Sequence, residues 1–392
     1  MKKINYILGS FKNNLYLNDP LSENIFDFCD DLSKIILKNQ DSRKNLELFT
    51  FALWCRKKNL KLLSKNFNKE QIKEMQNLGV VFHIPPSNVI INFAYSLIVG
   101  LLTSNKNIIR IPAKSKKLAI FVAKNLNLLK KKYPKIISLI CFISYDHDKS
   151  ISEKISKISD ARIIWGSDET INEFKNIQSK INCRDIFFSD RYSIAMINTN
   201  KILNLSNEKL FKLCKNFYND TYLFDQNACT SPQSILWIGN NSLIAKKKFW
   251  KCMERIVSNN YNLDYFSAIN KFDNLSTLIC RSNNISNLNN FKNLITRVNL
   301  KNVNALYKLR GNWGFFYEIN FKSIKKIKIP SSNKYQTLSH FGFSKQDLLK
   351  IYKNPYLKDF CRFVEIGKTM EFSLIWDGYD LINFLTKKIS TK

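Results

Sequence analysis

Short β-branched and aromatic runs alternate with helical segments through the middle of the chain. Val80–Ile84 is predicted to form a strand and is followed, after Pro85-Pro86, by a predicted helix over about residues 89–103. The alternation continues with predicted strands at 107–111, 136–145 and 161–165 and predicted helices at 114–131 and 148–159. Strands that alternate with helices of about 10–15 residues indicate parallel βαβ units and an α/β sheet.

The second half of the chain keeps this rhythm. We predict strands at 192–198 and 234–239, helices at 208–222 and 242–257, and an irregular turn at 225–233. The Asn-rich stretch 259–304 yields no clear assignment. The chain contains no GxGxxG and no Walker A motif, so a dinucleotide would need a different phosphate-binding turn.

The composition is strongly basic. The 392 residues include 62 Lys+Arg and 31 Asp+Glu, a formal net charge of +31, which first suggests a polyanionic partner. The lysines are dispersed, however, and no Cys2His2 or RNP-type signature is present. A compositional bias is therefore favoured over a specific nucleic-acid surface.

The sequence predicts neither a targeting segment nor a transmembrane span. Met1-Lys2-Lys3 is similar to the start of a signal peptide, but Lys12 and two asparagines interrupt the apolar run that should follow. The longest apolar stretch, 89–102, is too short for a span of about 20 residues. The nine cysteines show no metal-ligand spacing and no HExxH motif is present, so we predict no metal site. An odd number of scattered cysteines favours reduced thiols and a cytoplasmic location.

Cys229 is the cysteine best placed for chemistry. It lies among small and polar residues before a predicted strand, so a turn could present its thiol, although an inert thiol is the ordinary alternative. A Cys–His dyad with His83 or His340 is conceivable. For all three histidines, His147 included, a packed or solvent-facing ring is the favoured interpretation.

Asn88 follows a predicted strand and two prolines, at the mouth of the predicted sheet. A side-chain amide at this place can donate a hydrogen bond to a developing oxyanion. The alternative is helix capping, which Ser87 or Asn88 could also supply. The sequence leaves both roles open.

Several motifs occur in one order and together are similar to a known family. They are HIPPSNV (83–89), NIIRIPAKS (107–115), DRYSIAMI (190–197), DQNACTSPQ (225–233), KYQTLSHFGF (334–343) and RFVEIGKTMEFSLIWDGYDL (362–381). The series resembles the acyl-CoA reductase family typified by the fatty-acid reductase of bacterial bioluminescence, a divergent branch of the aldehyde dehydrogenase superfamily. The resemblance covers about residues 80–385.

The resemblance implies an aldehyde-dehydrogenase-like α/β fold with a Rossmann-type cofactor domain, an α/β catalytic domain and a small oligomerisation element. We expect an N-terminal region and NADP(H)-binding domain at 1–198, a catalytic domain carrying the nucleophilic cysteine at 199–350, and a C-terminal segment at 351–392. That last segment would pack back on the core or form a subunit interface. Assembly as a homo-oligomer is also implied.

In this family the nucleophile is a cysteine, and Cys229 matches its motif. Asn88 falls where the superfamily places its oxyanion-hole asparagine. The glutamate that activates water in aldehyde oxidisers is missing before the 192–198 strand, which agrees with exchange of an acyl group with CoA. The superfamily's ribose-binding glutamate has no match in these motifs, and Glu318 is the candidate for its role.

The resemblance also implies a cofactor site. Gly166-Ser167 matches the turn near the pyrophosphate. Ile111 stands where the superfamily has a ribose-contacting lysine, and Arg110 and Lys114 lie beside it. Two cations at this place would suit a 2′-phosphate, so we expect NADPH as the cofactor.

The implied activity is NADPH-dependent reduction of a long-chain fatty acyl thioester, acyl-CoA or acyl-protein, to the aldehyde through a cysteine acyl-enzyme. An acyl-protein synthetase and an acyltransferase are candidate partners, and no specific nucleic acid is expected. Two alternatives stay open. One is a short-chain CoA-acylating aldehyde dehydrogenase, and the other is a non-catalytic protein that binds nucleic acid or membrane surfaces with the same scaffold.

Overall fold

Two mixed β-sheets, of six and seven strands, organise the computed structural model, which describes residues 4–11, 19–146, 148–304 and 306–390. Each sheet belongs to a separate unit. The first unit comprises Met1–Ser189 and Phe372–Lys392, and the second comprises Asp190–Glu371.

The first unit begins with one strand and five successive helices, and strands and helices then largely alternate from β3 to Ser189. Its elements in chain order are β1 (Asn5–Leu8), α1 (Glu23–Lys38), α2 (Gln40–Lys44), α3 (Leu46–Trp54), α4 (Lys57–Leu63), α5 (Lys69–Lys73), β2 (Met75–Asn77), β3 (Val80–Ile84), α6 (Asn92–Leu102), β4 (Lys106–Arg110), a 3-10 turn (Ala113–Ser115), α7 (Lys116–Leu128), α8 (Pro134–Ser138), β5 (Ile140–Ser144), α9 (Lys149–Ile158), β6 (Ala161–Trp165), α10 (Asp168–Lys175) and β7 (Arg184–Phe188).

The six-stranded sheet has the order β1-β5-β4-β3-β6-β7, and its neighbours are parallel except for β1 with β5. Strands β3, β4 and β6 are buried along most of their length, which is typical of parallel sheets covered on both faces. The predicted strands 80–84 and 161–165 are confirmed residue for residue. The predicted strand 136–145 is wrong at its start, because Pro134 occupies the first turn of helix α8 and the strand begins only at Ile140.

The second unit contains the remaining large elements. They are β8 (Tyr192–Asn198), α11 (Thr199–Leu203), α12 (Asn207–Thr221), β9 (Pro232–Ile238), α13 (Ser242–Asn260), α14 (Tyr265–Arg281), β10 (Ile285–Phe291), β11 (Ile295–Leu300), a 3-10 turn (Leu306–Lys308), β12 (Phe315–Phe321), a 3-10 turn (Ile324–Lys326), β13 (Tyr335–Phe341), α15 (Lys345–Tyr352) and β14 (Arg362–Glu365).

These strands form a sheet of order β10-β11-β12-β9-β8-β13-β14, parallel except for the β10–β11 hairpin. The Asn-rich stretch without a clear prediction forms helix α14 and this hairpin. Lys292 and Asn293 both take positive φ values in the hairpin loop, a conformation that asparagine tolerates better than most residues.

The chain returns to the first unit at its end. The returning elements are β15 (Ile375–Trp376), β16 (Tyr379–Asp380), α16 (Leu381–Phe384) and β17 (Thr386–Lys388), with β17 pairing antiparallel to β2. The Trp54 indole donates to the Phe372 carbonyl at 2.9 Å, and the Arg184 guanidinium donates to two carbonyls of this segment.

The unit boundaries therefore differ from the predicted 198/199 and 350/351. The first boundary lies before strand β8, because β8 is an interior strand of the second sheet between β9 and β13. The second lies after Glu371, because β14 pairs with β13. The C-terminal segment that packs back on the first unit begins at Phe372.

Within the described ranges, no helix combines the length and the apolar character needed to cross a bilayer. The basic start with Met1-Lys2-Lys3, the residues Lys12, Asn13 and Asn14, and His147 lie outside the described residues.

Candidate functional site

The carboxyl edge of the first sheet collects five of the predicted site residues. Asn88 follows β3, Arg110 ends β4, Lys114 lies in the 3-10 turn after β4, and Gly166 and Ser167 follow β6. Strand β3 lies between β4 and β6. The chain adds β4 and β5 on one side of β3 and then adds β6 and β7 on the other side, so the strand order reverses at β3. Ligands of open α/β sheets bind outside the carboxyl ends at such a switch point.

The loop over residues 85–91, here called the Asn88 loop, joins β3 to α6. Both Ser87 and Asn88 have exposed side chains. Helix α6 begins at Asn92 with Ile91 at the N-cap position and no side-chain cap bond from that residue. The structure thus places Ile91, rather than Ser87 or Asn88, at the N-cap position of this helix.

A glutamate that sequence reasoning missed supplies the acceptor at this helix start. The Ile91 backbone N–H donates to the carboxylate of Glu47, which lies in the first turn of α3. Burial raises the pKa of this carboxyl to about 7. Nothing in the local sequence around Glu47 indicated this contact, since the two residues are far apart in the chain.

His83 is a packed core histidine. It is fully buried on β3, with Nδ1 2.7 Å from the Ser96 hydroxyl on α6 and Nε2 3.0 Å from Oδ1 of Asn107 on β4. Burial lowers its pKa to about 4, so the ring is neutral at neutral pH. Both ring nitrogens are engaged, which excludes His83 as the base of a Cys–His dyad. His340 is also buried, on β13, and burial lowers its pKa.

The two cations at the end of β4 differ in exposure. Arg110 is half-buried, and its guanidinium carbon lies 4.8 Å from the centre of the Tyr145 ring, a cation–π contact that orients it. Lys114 is exposed, whereas Ile111 between them is buried at 3% exposure. A planar guanidinium held by an aromatic ring and an exposed ammonium form a donor set that suits a phosphate group.

Gly166-Ser167 has a structural role of its own. A Cβ on Gly166 would lie 2.7 Å from the Cβ of Thr170, so only glycine lets this turn pack on helix α10. The Ser167 hydroxyl caps that helix by accepting from the Thr170 N–H at 3.4 Å. Asp168 and Glu169 lie in the first turn of α10, where their negative charge interacts favourably with the helix dipole. The same charge lies where the pyrophosphate is expected.

Cys229 lies in the second unit, half-buried in the turn over residues 222–231, here called the Cys229 turn. The Ser193 hydroxyl on β8 donates to the Cys229 carbonyl at 2.6 Å and accepts from the Thr337 N–H at 3.2 Å. The neighbouring Thr230 hydroxyl lies 3.5 Å from the sulfur of Met370. The backbone at the cysteine is thus tied to the middle of the sheet.

Gln226 holds the turn from inside. It takes a positive φ of 57° and is 1% exposed. Its Nε2 donates to the carbonyls of Pro232 and Phe315, both at 3.1 Å, and its Oε1 accepts from the N–H groups of Gly314 at 2.8 Å and Phe315 at 2.9 Å. The side chain therefore uses its full hydrogen-bonding capacity against β9 and β12.

Gln233 completes the arrangement at the other end of the motif. Its Nε2 donates to the Gln226 carbonyl at 3.0 Å, and its Oε1 accepts from the Gly311 N–H at 2.9 Å. Sequence reasoning missed both glutamines, although they flank Cys229 within DQNACTSPQ. Glutamine at two buried positions of a turn is the signal that could have identified them.

The EIGKTM part of the C-terminal motif packs in the second unit. Asp220 on α12 is 1% exposed, and its carboxylate accepts from the N–H groups of Gly367 at 2.6 Å and Thr369 at 3.2 Å. Burial raises the pKa of Asp220 to about 6. The Arg362 guanidinium donates to three carbonyls of the same turn. These contacts account for the motif by packing.

Glu318 is not available as a ribose ligand. Its side chain is 1% exposed in the core, where Oε1 accepts from the indole N–H groups of Trp237 at 2.9 Å and Trp250 at 2.7 Å. The Lys246 ammonium lies 3.6 Å from the other carboxylate oxygen. The Glu318 carboxylate therefore stabilises the core of the second unit. Among the described residues, no cluster of His, Cys, Asp or Glu could hold a metal ion.

Residues 30–277 match the model of the family described as acyl-CoA reductase (LuxC). The long-chain acyl-protein thioester reductase of Aliivibrio fischeri is 24% identical over 181 residues, which cover 46% of this chain and 36% of that protein. The enzyme of the same name from Photobacterium phosphoreum is 25% identical over 164 residues, 42% of this chain and 32% of that protein. The matched stretch thus spans about a third of each relative.

Solved structures of aldehyde dehydrogenases share the fold. An NAD-dependent aldehyde dehydrogenase of Sinorhizobium meliloti superposes with a TM-score of 0.65 at 9% identity, covering 94% of this chain and 82% of that one. The 1-pyrroline-5-carboxylate dehydrogenase of Thermus thermophilus gives a TM-score of 0.65 at 9% identity, covering 93% and 80%. The predicted aldehyde-dehydrogenase-like α/β fold is confirmed.

Proposed function

The chain belongs to the acyl-CoA reductase (LuxC) family, and we propose that it reduces a long-chain fatty acyl thioester, carried by CoA or by a protein, to the aldehyde. The Cys229 turn is the observation that carries the proposal. A half-buried thiol on a backbone tied down by Ser193 and Gln226 is a suitable nucleophile for acyl transfer. The names of the curated relatives favour a long-chain thioester as substrate.

In the proposed reaction the Cys229 thiolate attacks the thioester carbonyl carbon. The bond from that carbon to the donor's sulfur breaks, the donor thiolate takes up a proton, and an acyl-Cys229 thioester remains. The thiolate is the reactive form, so the rate of attack should rise under conditions that deprotonate the thiol. The fixed backbone keeps Sγ and the Cys229 N–H in one orientation toward the carbonyl, which reduces the reorganisation needed in the transition state.

We assign the Asn88 amide to the negative charge that develops on the carbonyl oxygen, together with the Cys229 N–H. A preorganised donor of this kind contributes about 3 kcal/mol to transition-state stabilisation. The exposed position of Asn88 in its loop is what such a donor requires.

The fold implies a nicotinamide cofactor, which supplies the hydride when it is bound. We propose NADPH, held by the cations Arg110 and Lys114 at its 2′-phosphate and by Gly166-Ser167 near its pyrophosphate. The donor set at the end of β4 supports this choice.

Two of the proposed partners follow from the substrate, since an acyl-protein synthetase or an acyltransferase would supply the acyl group. Neither of these two enzymes is needed for the test, because acyl-CoA alone can donate the acyl group. We also propose that the chain forms a homo-oligomer.

The decisive experiment measures aldehyde formation. Purified protein is mixed with acyl-CoAs from butyryl to palmitoyl and with NADPH or NADH, and the aldehyde is identified by mass spectrometry. We expect long-chain aldehyde with NADPH. The Cys229→Ala variant should form no acyl-enzyme and no aldehyde, whereas Cys280→Ala, which removes an exposed thiol of the same unit, should behave as wild type. Turnover by Cys229→Ala would refute the assignment, and a preference for butyryl-CoA would favour the short-chain alternative.

A further inference from the structure

The residue at the N-cap position of helix α6 supplies no side-chain cap. Ile91 occupies the N-cap position without a side-chain cap bond. The Asn92 N–H donates to the Val89 carbonyl, and the Ala94 N–H donates to the Ile91 carbonyl. The N–H groups at a helix start have no partner within the helix, and a buried one is costly. Ile91 itself is 2% exposed, so its N–H needs an acceptor from elsewhere.

Glu47 is that acceptor, and it comes from another helix. Its carboxylate, in the first turn of α3, accepts the Ile91 N–H. Its second oxygen, Oε2, is buried and has no hydrogen-bond partner among the described residues. Tyr95 on α6 faces the carboxylate, and the pKa of that phenol is raised by burial and by Cys55 and Glu47. No cation is among the causes that shift the Glu47 pKa.

A carboxyl at this place lowers stability at neutral pH. Its raised pKa means that the folded protein holds a proton that the unfolded chain would release between about pH 4.5 and 7. This contribution to stability is therefore present at low pH and is lost as the pH rises through about 7. A neutral glutamine could accept the same N–H without that cost.

The position of Glu47 explains why a costly group would be useful. The Asn88 loop is restrained at its start by strand β3, where His83 lies within hydrogen-bonding distance of residues on α6 and β4. It is restrained at its end by the hydrogen bond from the Ile91 N–H to Glu47. Asn88 lies between these two restraints, three residues before Ile91.

We propose that Glu47 is a positioning residue for Asn88: its carboxylate holds the Ile91 N–H and thereby fixes the loop that aims the Asn88 amide. The proposal rests on the role assigned to Asn88 in the proposed function. It makes Glu47 a residue that costs stability and supports rate, a combination that a merely structural residue does not show.

The experiment compares Glu47→Ala and Glu47→Gln with a matched control, Glu70→Gln. Glu70 is also the second residue of its helix, α5, but is exposed. Amide hydrogen exchange at Ile91 reports the contact without any need for activity. We expect Glu47→Ala to speed exchange there by roughly tenfold, Glu47→Gln to retain most of the protection, and Glu70→Gln to change nothing.

The kinetic arm tests the effect on Asn88. Glu47→Ala should lower kcat by roughly tenfold with KM unchanged, and should add nothing further in an Asn88→Ala background. Glu47→Gln should raise the melting temperature at pH 8 and remove the part of the wild-type kcat profile that changes near pH 7.

Each negative result has a separate meaning. If wild type reduces no acyl thioester, the proposed function fails while the exchange measurement still tests Glu47. If Asn88→Ala keeps full kcat, the role of Asn88 fails and the present proposal falls with it. If Asn88→Ala loses rate but Glu47→Ala changes neither kcat nor exchange at Ile91, Glu47 does not position the loop.

Discussion

The Cys229 turn and the Asn88 loop have related proposed tasks, but different chemistry holds them in place. The Cys229 turn is fixed by two glutamines and a serine, Gln226, Gln233 and Ser193, whose side chains do not titrate between pH 4 and 10. These contacts all lie within one sheet and its connecting loops. These three side chains should therefore hold the backbone of the proposed nucleophile equally well across this pH range.

The Asn88 loop depends on titratable groups instead. His83 joins the strand before the loop to the helix after it, and Glu47 closes the helix start. Burial shifts the pKa of both, to about 4 for the histidine and about 7 for the glutamate. The comparison shows that the same requirement for a fixed turn can be met with pH-insensitive or pH-sensitive contacts, and that the contacts of Glu47 and His83 should respond to pH whereas those of Gln226, Gln233 and Ser193 should not.

The largest effect is expected from Gln226→Ala. It leaves two N–H groups and two carbonyls buried without their partner, so the free energy of unfolding should fall by about 4 kcal/mol. Urea unfolding measures this, with the exposed Gln346→Ala as control. Gln226→Glu, which keeps the shape but loses the donor, should be about as damaging. A loss under about 1 kcal/mol in both would show that the turn does not need this side chain.

The next effect concerns His83 and pH. Because its pKa is lowered in the fold, the unfolded chain takes up a proton near pH 6.5 and the folded protein does so only near pH 4. Stability from the neutral ring is complete above pH 6.5 and is lost as the pH falls through that window, by about 3 kcal/mol.

Unfolding at several pH values tests this by comparing wild type with His83→Gln. The variant should be less stable at pH 7 and should show a smaller fall between pH 6.5 and 4. If the free energy of unfolding fell equally with pH in the two proteins, the pKa of His83 would not be lowered by folding. His83 would then not make the Asn88 loop sensitive to pH.

The smallest effect is expected from Ser193→Ala. The variant loses the bond to the Cys229 carbonyl and the acceptor for Thr337, which should cost about 2 kcal/mol of stability. Alkylation of Cys229 by iodoacetamide should become faster, since the turn is less restrained. Ser339→Ala, which removes a longer bond to the Ile194 carbonyl in the same sheet, is the control. Equal alkylation rates in all three proteins would contradict a restraining role for Ser193.

Strands with apolar β-branched runs between clear breaks were predictable from the sequence. Val80–Ile84 and Tyr192–Asn198 match their predictions. Hydrophobic runs of this length between turn signals are typical of strands in a buried parallel sheet. The helix at Pro134–Ser138 and the hairpin in the Asn-rich stretch were not predictable in the same way. In both, packing against the rest of the unit outweighs a local pattern that is short or weakly apolar.

The motif order was enough to identify the family and the fold, and it singled out Cys229 and Asn88, whose proposed roles await experiment. It could not identify their supports, because Gln226, Ser193 and Glu47 act through contacts with backbone groups distant in the chain. Local sequence encodes the type of turn and the chemistry a side chain can offer. Which backbone N–H or carbonyl each side chain meets, and how far burial shifts its pKa, is decided only when the sheets and helices pack.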